Sequence, residues 1–505
     1  MTDAPLLLGL DLGTTSIKAV VFTVHGDTVA QAAVRTPTHY PRPGWAYYDP
    51  AELWQATLQS VRTVTAQVED PRRIAGLAVA SFAETGVLID AHGQPVGEAI
   101  AWFDNRTADQ AAWLAETLGQ EQLFAITGIA LEPIFSLCKL RWIRQHRPEQ
   151  YAASRRWLNA ADYIAFRLCG IPATDFSLAS RTLWLDLHRR CWSEEILAWT
   201  ETPRDLLAPL MASGTRLGPL LPEVAAITGL SPQVQVAAGG HDHVCGALAL
   251  GVTRPGEMLN SMGTAEAVFL PLAAPLTDPR VGQQGYSQGV HVAGHYYVFG
   301  GLYTSGACID WFRESLAGGA DYATLIAEAA AVPPGSLGAC FLPHLRLANA
   351  PYVDAQARGA FIGLRTDVQR GALFRAILEG LAHEVRNSLE PLLAHTGLPG
   401  VDPIHVIGGG AQNELALRIK ASVLSQPLQV ASVKEATALG AALLGGVAAG
   451  VYANLAEAVG QMRYHRVEVA PTAAEVDFYN ATFQEVYRSL YATLRPLHHA
   501  LGRLV

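Results

Sequence analysis

Asp11, Gly13, Thr14, Thr15 and Lys18 lie within Leu6–Phe22, LLLGLDLGTTSIKAVVF. An apolar run ends at Asp11, Gly13-Thr14-Thr15 makes a polar corner, and Ala19–Phe22 turns apolar again. That order predicts a hairpin whose polar chemistry is concentrated in the turn. Gly13 admits close approach of a ligand. Consecutive N–H groups and two threonine hydroxyls form a concave donor surface suited to phosphate oxygens. Asp11 accepts only, so it would repel a phosphate unless a cation lay between them; Mg²⁺ held largely through water is the natural guest. Lys18 adds a positive charge. Taken alone, the stretch reads equally as an ordinary hairpin with an Asx-type turn.

The pattern returns half a chain length later. Gly256–Leu270, GEMLNSMGTAEAVFL, again has an apolar run, a small polar corner at Ser261-Met262-Gly263-Thr264, and a second apolar run. Two phosphate hairpins at the heads of two halves predict a duplicated fold closing on one nucleotide.

Two further stretches carry chemistry. Gly239-Gly240-His241-Asp242-His243 follows an apolar run and opens a small-residue helix. A carboxylate at Asp242 can take the proton of an attacking hydroxyl, or simply cap the helix. A metal site from His241, Asp242 and His243 is disfavoured, because neighbours on an extended chain point in opposite directions. Gly408-Gly409-Gly410-Ala411-Gln412-Asn413 follows the strand Ile404–Ile407. Asn413 stands where a dinucleotide fingerprint has its third glycine, so a floor for a nucleotide base or ribose fits better. No G-x-x-x-x-G-K-[ST] occurs, which excludes a P-loop.

These groups need strands to deliver them. Ile74–Val79 runs into Ser81–Glu84, and Ala99–Arg106, AIAWFDNR, is expected as a strand ending in polar groups. Ligands in α/β proteins sit outside such strand ends, so Ser81–Glu84 and Trp102–Arg106 are candidates for one pocket. Helical periodicity marks Asp49–Val68, a largely helical middle from Asp109 to Leu210, Gly371–Leu389 and Asn413–Leu424. The Ala/Gly-rich run Ala436–Ala449 suits a closely packed helix, and Glu475–Leu494 an amphipathic one with Phe478, Phe483, Val486, Tyr487 and Leu490 inward.

The chain has 505 residues, too many for one ordinary core, so two domains, 1–250 and 251–505, are expected. A net charge of −9 and an isoelectric point near 6.0 argue against nucleic acid or an anionic membrane as main partner. The six cysteines are irregularly spaced with no C-x-x-C, as in reduced cytosolic proteins. The N-terminal segment lacks a signal-peptide pattern and no apolar segment is long enough to span a bilayer, which predicts a cytoplasmic protein.

Taken together, the motifs resemble the FGGY carbohydrate kinases, in the superfamily of sugar kinases, actin and heat-shock ATPases. The match runs roughly from Leu6 to Leu494 and adds Thr174-Asp175, Ala179-Ser180-Arg181-Thr182, Arg358-Gly359-Ala360-Phe361 with Gly363-Leu364, and Lys434–Ala442, KEATALGAA, to the stretches above. The resemblance implies an α/β fold of two actin-like (ribonuclease H-like) domains with a nucleotide cleft between them, the first binding sugar and the second nucleotide. It implies ATP and Mg²⁺ as cofactors and a ketose or polyol as substrate, in the xylulose kinase-like branch. Asp242 would be the catalytic base, with Asp11 and Asp242 at the metal. Gly13, Thr14, Thr15, Lys18, Gly263 and Thr264 would line the phosphates, and Gly409, Gly410 and Asn413 the adenosine. Glu84, Trp102, Asp104, Asn105, Arg106, Asp242 and His243 would form the sugar pocket.

Departures limit the substrate. The Arg-Glu pair and Asp-Pro-Tyr-Phe of glycerol kinases are Ala83-Glu84 and Glu132-Pro133-Ile134-Phe135 here, and His243 replaces their Gln, which argues against glycerol. The Gln-Met-His-Gly usual in xylulose kinases is Ser81-Phe82-Ala83-Glu84. The competing classes are a sugar-sensing regulator with little catalysis and a heat-shock-type ATPase. A homodimer is common among relatives, but the sequence carries no interface signature.

Overall fold

The computed structural model describes residues 4–504. Strands Leu6–Leu12 (β1), Ser16–Thr23 (β2) and Thr28–Arg35 (β3) form an antiparallel meander. Ile74–Ser81 (β4) lies parallel to β1 on its other side, and Gln235–Ala237 (β5) parallel to β4. The inner order is β5-β4-β1-β2-β3. The second half repeats it. Met258–Met262 (β6), Glu266–Leu272 (β7) and Tyr296–Leu302 (β8) are the meander, with Ile404–Ile407 (β9) and Leu428–Ala431 (β10) the parallel pair, in the order β8-β7-β6-β9-β10. The duplication expected from two hairpins is therefore a duplication of sheets.

Four helices bear on the site: Asp242–Ala249 (α1), Arg370–Thr396 (α2), Glu414–Leu424 (α3) and Ala436–Ala448 (α4), of which α1 and α4 form the joint between the sheets. The apolar phase of α2 is buried as expected at Phe374, Ile377, Leu378, Leu381 and Val385. Although α4 follows the second sheet in sequence, it lies across β1 and β4 of the first. A Cβ on Gly9 would stand 1.7 Å from the Ala438 carbonyl oxygen, and one on Gly440 1.9 Å from that of Cys245 in α1. One core consequently draws on both halves: Leu7, Ala78, Val244, Leu248, Leu259, Leu439 and Leu443 are all within it.

Two expectations change. Ala99–Arg106 is a strand only over Ala99–Ile100, and Trp102–Arg106 turns away. In the terminal helix Phe483, Tyr487 and Leu490 are buried, but Phe478 and Val486 are exposed. A π-helical turn, Phe483–Tyr487, interrupts the helix. Its wider turn keeps the four-residue spacing Tyr479, Phe483, Tyr487, Tyr491 on one buried face, where a pure 3.6 period would drift.

Backbone contact at Gly9 leaves no room for a side chain. Gly9→Val is expected to cost more than ~3 kcal/mol of stability. Gly460→Ala, where a Cβ meets nothing within 4 Å, is expected to stay within about 0.5 kcal/mol of wild type. Chemical denaturation of both variants checks this; equal midpoints would remove the close-packed joint.

Candidate active site

The first hairpin turns where the sequence places its polar corner. The register sets Asp11 opposite Lys18, and the Gly13 N–H donates to the Ser16 carbonyl at 3.1 Å. In the second hairpin Met262 faces Glu266, and the Gly263 N–H donates to Ala265 at 2.9 Å. Thr14, Thr15, Gly263 and Thr264 are exposed at the two tips.

Asp242 is the first residue of α1, and His241, not Asp242, occupies the cap position. Its short lead-in strand, Gly240–His241, pairs with β4 beside Ser81. The His241 N–H donates to Ser177 Oγ at 2.9 Å, which ties this strand to the Thr174–Arg181 segment. Asp242 Oδ1 accepts the His243 N–H at 2.6 Å and lies 3.1 Å from His241 Nε2. Only the His241 ring joins Asp242 on this oxygen; His243 contributes its backbone N–H and not its imidazole, so the three side chains form no metal site. Oδ2 is left for a ligand. Burial pushes the Asp242 carboxyl up and the His241 imidazole well down, so the ring is neutral.

Asp11 faces Asp242. Burial first, and then the Asp242 charge, raise Asp11 to about 7, with Lys18 acting in the opposite direction. Two half-buried carboxylates in mutual repulsion, opening on phosphate-sized donor turns, are a donor set for a hard cation. Among the described residues no cluster of three or more His, Cys, Asp or Glu could hold a metal. An ion bound by Asp11 and Asp242 would therefore complete its shell with water and phosphate oxygens, as Mg²⁺ prefers.

Behind the second hairpin opens a cavity of about 690 Å³, the size of a nucleotide site. Gly263, Thr264, Gly409, Gly410 and Asn413 line it as expected, with Ile309, Tyr322, Ile326 and Leu381 as an apolar wall. Asn413 also caps α3 through the Ala416 N–H. Its floor was not foreseen. Lys420 pairs with Glu266 and donates to Asn260 Oδ1 at 2.9 Å, while Ser305 Oγ donates to Glu266 at 2.7 Å. A lysine at the buried phase of α3 and a glutamate inside an apolar strand were the available signals.

On the sugar side the expected residues divide. Glu84 is buried in the left-handed region, φ 62°, and its carboxylate holds Arg181 Nε at 2.6 Å. Its carbonyl accepts from Lys139 Nζ at 3.0 Å and Ser136 Oγ at 3.2 Å. Burial brings Lys139 down to about 7. Trp102 Nε1 donates to Thr14 Oγ1 at 2.9 Å and so joins the two motifs. His243 is exposed beside Asp242.

Three assignments need correcting: Asp104, Arg106 and Lys18. Asp104 and Arg106 have fully buried side chains: Asp104 accepts the Ala46 N–H at 2.5 Å and pairs with Arg106, which also reaches Glu98 and stacks 4.0 Å over Trp45. They brace the wall and do not enter the pocket. Asn105 is exposed, against Gly44. Lys18 is bound to Glu435 at 2.6 Å, so its charge is neutralised and not free for phosphate.

Folding raises Asp11 from 3.8 to about 7, so the ligand-free native protein holds a proton that the unfolded chain has released. Stability of that state therefore falls as pH rises from about 4 to about 7 and levels off above. Asp11→Asn is expected to flatten this fall and to add on the order of 1 kcal/mol at neutral pH. Thermal melts without nucleotide or metal at about pH 5 and about pH 7.5 test it; the same pH slope in both proteins counts against the repulsion.

With this geometry in view, residues 6–249 match the N-terminal domain, and residues 258–449 the C-terminal domain, of the FGGY family of carbohydrate kinases. The chain is 29% identical over 501 residues to the xylulose kinase of Bacillus subtilis, covering 98% of each chain. It is 33% identical over 465 residues to the glycerol kinase of Gloeobacter violaceus, covering 91% of this chain and 92% of that one. The crystal structure of xylulose kinase from Rhodospirillum rubrum superposes with a TM-score of 0.89 at 30% identity, covering 98% of this chain and 100% of that one. Two duplicated actin-like sheets, a carboxylate at the head of the helix that joins them, and these matches agree: the chain belongs to the FGGY family of carbohydrate kinases.

Proposed function

We propose that this carbohydrate kinase transfers the γ-phosphoryl group of ATP, with Mg²⁺, to a hydroxyl of a small ketose, with a pentulose such as D-xylulose the first candidate. The reading is carried by one arrangement: Asp242, facing Asp11, stands at the strand end where the sugar-side cluster of Glu84 and Arg181 meets the phosphate-side turns. Residues 1–250 would hold the sugar and 251–505 the nucleotide.

Asp242 Oδ2 would accept the proton of the sugar hydroxyl as its oxygen forms the new bond to the γ-phosphorus. The bond from that phosphorus to the bridging oxygen breaks, and ADP leaves. Mg²⁺, when bound, supplies charge neutralisation between the phosphate oxygens and the two carboxylates. His241 and the His243 N–H fix the orientation of Asp242 through Oδ1. The turn N–H groups and hydroxyls at Gly13–Thr15 and Gly263–Thr264 position the phosphates, so catalysis is largely positioning and charge stabilisation. Ala83 withholds the arginine by which a glycerol site would be built, which favours a longer acceptor.

Asp242→Asn is expected to keep nucleotide binding and lower turnover by roughly 10²–10⁴, the range for losing a general base. Unchanged turnover would remove that role. An ADP-release screen with Mg·ATP across ketopentoses, ketohexoses, tetruloses, pentitols and glycerol tests the substrate. Release with one ketose is expected; release without any sugar would favour an uncoupled ATPase instead.

A further inference from the structure

Phosphoryl transfer leaves three polar groups near Glu84 unused. Glu132 lies in the loop before the helix Ser136–His146, and its Oε2 accepts a hydrogen bond from Tyr303 Oη at 2.9 Å. Tyr303 follows β8 in the other half, so this bond crosses the cleft. Both side chains keep partial exposure. The third group is Arg181, whose side chain is 6% exposed. Its guanidinium is wedged between Phe135 and Phe299, with Cζ 4.9 and 5.0 Å from the ring centroids. Nε is taken by Glu84, but Nη1 is buried and has no hydrogen-bond partner among the described residues. A buried donor without an acceptor is as costly as a lost hydrogen bond, and a ligand oxygen is what it lacks.

The charge balance names the ligand. Glu84, Glu132 and Asp242 bring three carboxylates to this side of the cleft, and Arg181 is already paired with one of them. Lys139 serves a carbonyl. Acceptors therefore outnumber donors, which suits a chain of hydroxyl donors and repels a carboxylate.

We propose that Glu132 and Tyr303, one from each half, together with Arg181 Nη1, recognise the sugar and restrict it to uncharged polyhydroxylated chains. Tyr303 holds Glu132 Oε2, which turns Oε1 to a sugar hydroxyl, and Arg181 Nη1 donates to a sugar oxygen. Because Tyr303 comes from the opposite half, this contact is complete only when the two halves stand at their closed spacing. The proposal rests on the kinase reading above.

The test uses the full-length protein. Sugar binding without nucleotide is measured by calorimetry, and initial rates with Mg·ATP are taken for D-xylulose, D-ribulose, xylitol and the aldonate D-gluconate. The wild type is expected to use a neutral member and ignore gluconate. Glu132→Ala is expected to raise KM and Kd for that sugar by about 10–100-fold with KM for ATP within about twofold. The isosteric Glu132→Gln and Tyr303→Phe are expected to raise sugar KM by about three- to tenfold, and they carry the test should the alanine variant fail to fold. Preference for gluconate, or an unchanged sugar KM in Glu132→Gln and Tyr303→Phe, would overturn the recognition pair and leave the kinase reading standing. No turnover of any sugar by the wild type, despite ATP binding, would overturn both.

Discussion

The structure depends on backbone-to-backbone contact between α4 and the first sheet. Gly9, Gly440 and Gly445 stand where any Cβ would overlap a neighbouring chain. Where α4 meets the first sheet backbone to backbone, no side chain lies between them to absorb a shift, so the spacing is fixed rigidly. The beginning of α4 is tied directly to the chemistry. Thr437 Oγ1 donates to the Asp242 carbonyl at 3.4 Å, and the preceding Glu435 holds Lys18 of the first hairpin. The joint and the catalytic corner are one piece of structure.

That rigidity lets the site gather like charges. Asp11 and Asp242 repel each other in a half-buried setting, and Glu84 is held in a left-handed conformation that a non-glycine residue adopts at a cost. Each is over-determined by its surroundings: Asp242 by His241 and the His243 N–H, Glu84 by Arg181, Lys139 and Ser136. The charge repulsion lies where a cation, a phosphate and a hydroxyl would relieve it. Preorganisation of this kind lowers the reorganisation needed at the moment of transfer.

Away from α4 the halves meet through apolar contacts such as Phe124 with Val281, and through polar ones. Arg190 Nε donates to Tyr296 Oη at 3.0 Å, the Val290 N–H to Ser180 Oγ at 3.0 Å, and Tyr303 to Glu132. Such bonds exchange with water at little net cost, unlike the apolar joint.

The sequence by itself determined the repeated hairpins, Asp242 at a strand-to-helix corner, the glycine-rich floor at Gly408–Asn413 and the close-packing character of Ala436–Ala448. Each is written in residues adjacent along the chain, where apolar period and turn chemistry act locally. It did not decide which polar groups face a ligand. Asp104, Asn105 and Arg106 look like a binding cluster, yet two are consumed by Ala46, Glu98 and Trp45. Lys18 is neutralised by a residue 417 positions away, and Glu84 acquires Arg181 from 97 positions away. Glu132 meets Tyr303 across 171 positions. The fate of a charge depends on which partner the fold brings within about 3 Å, a distance set by tertiary packing and not by any local pattern.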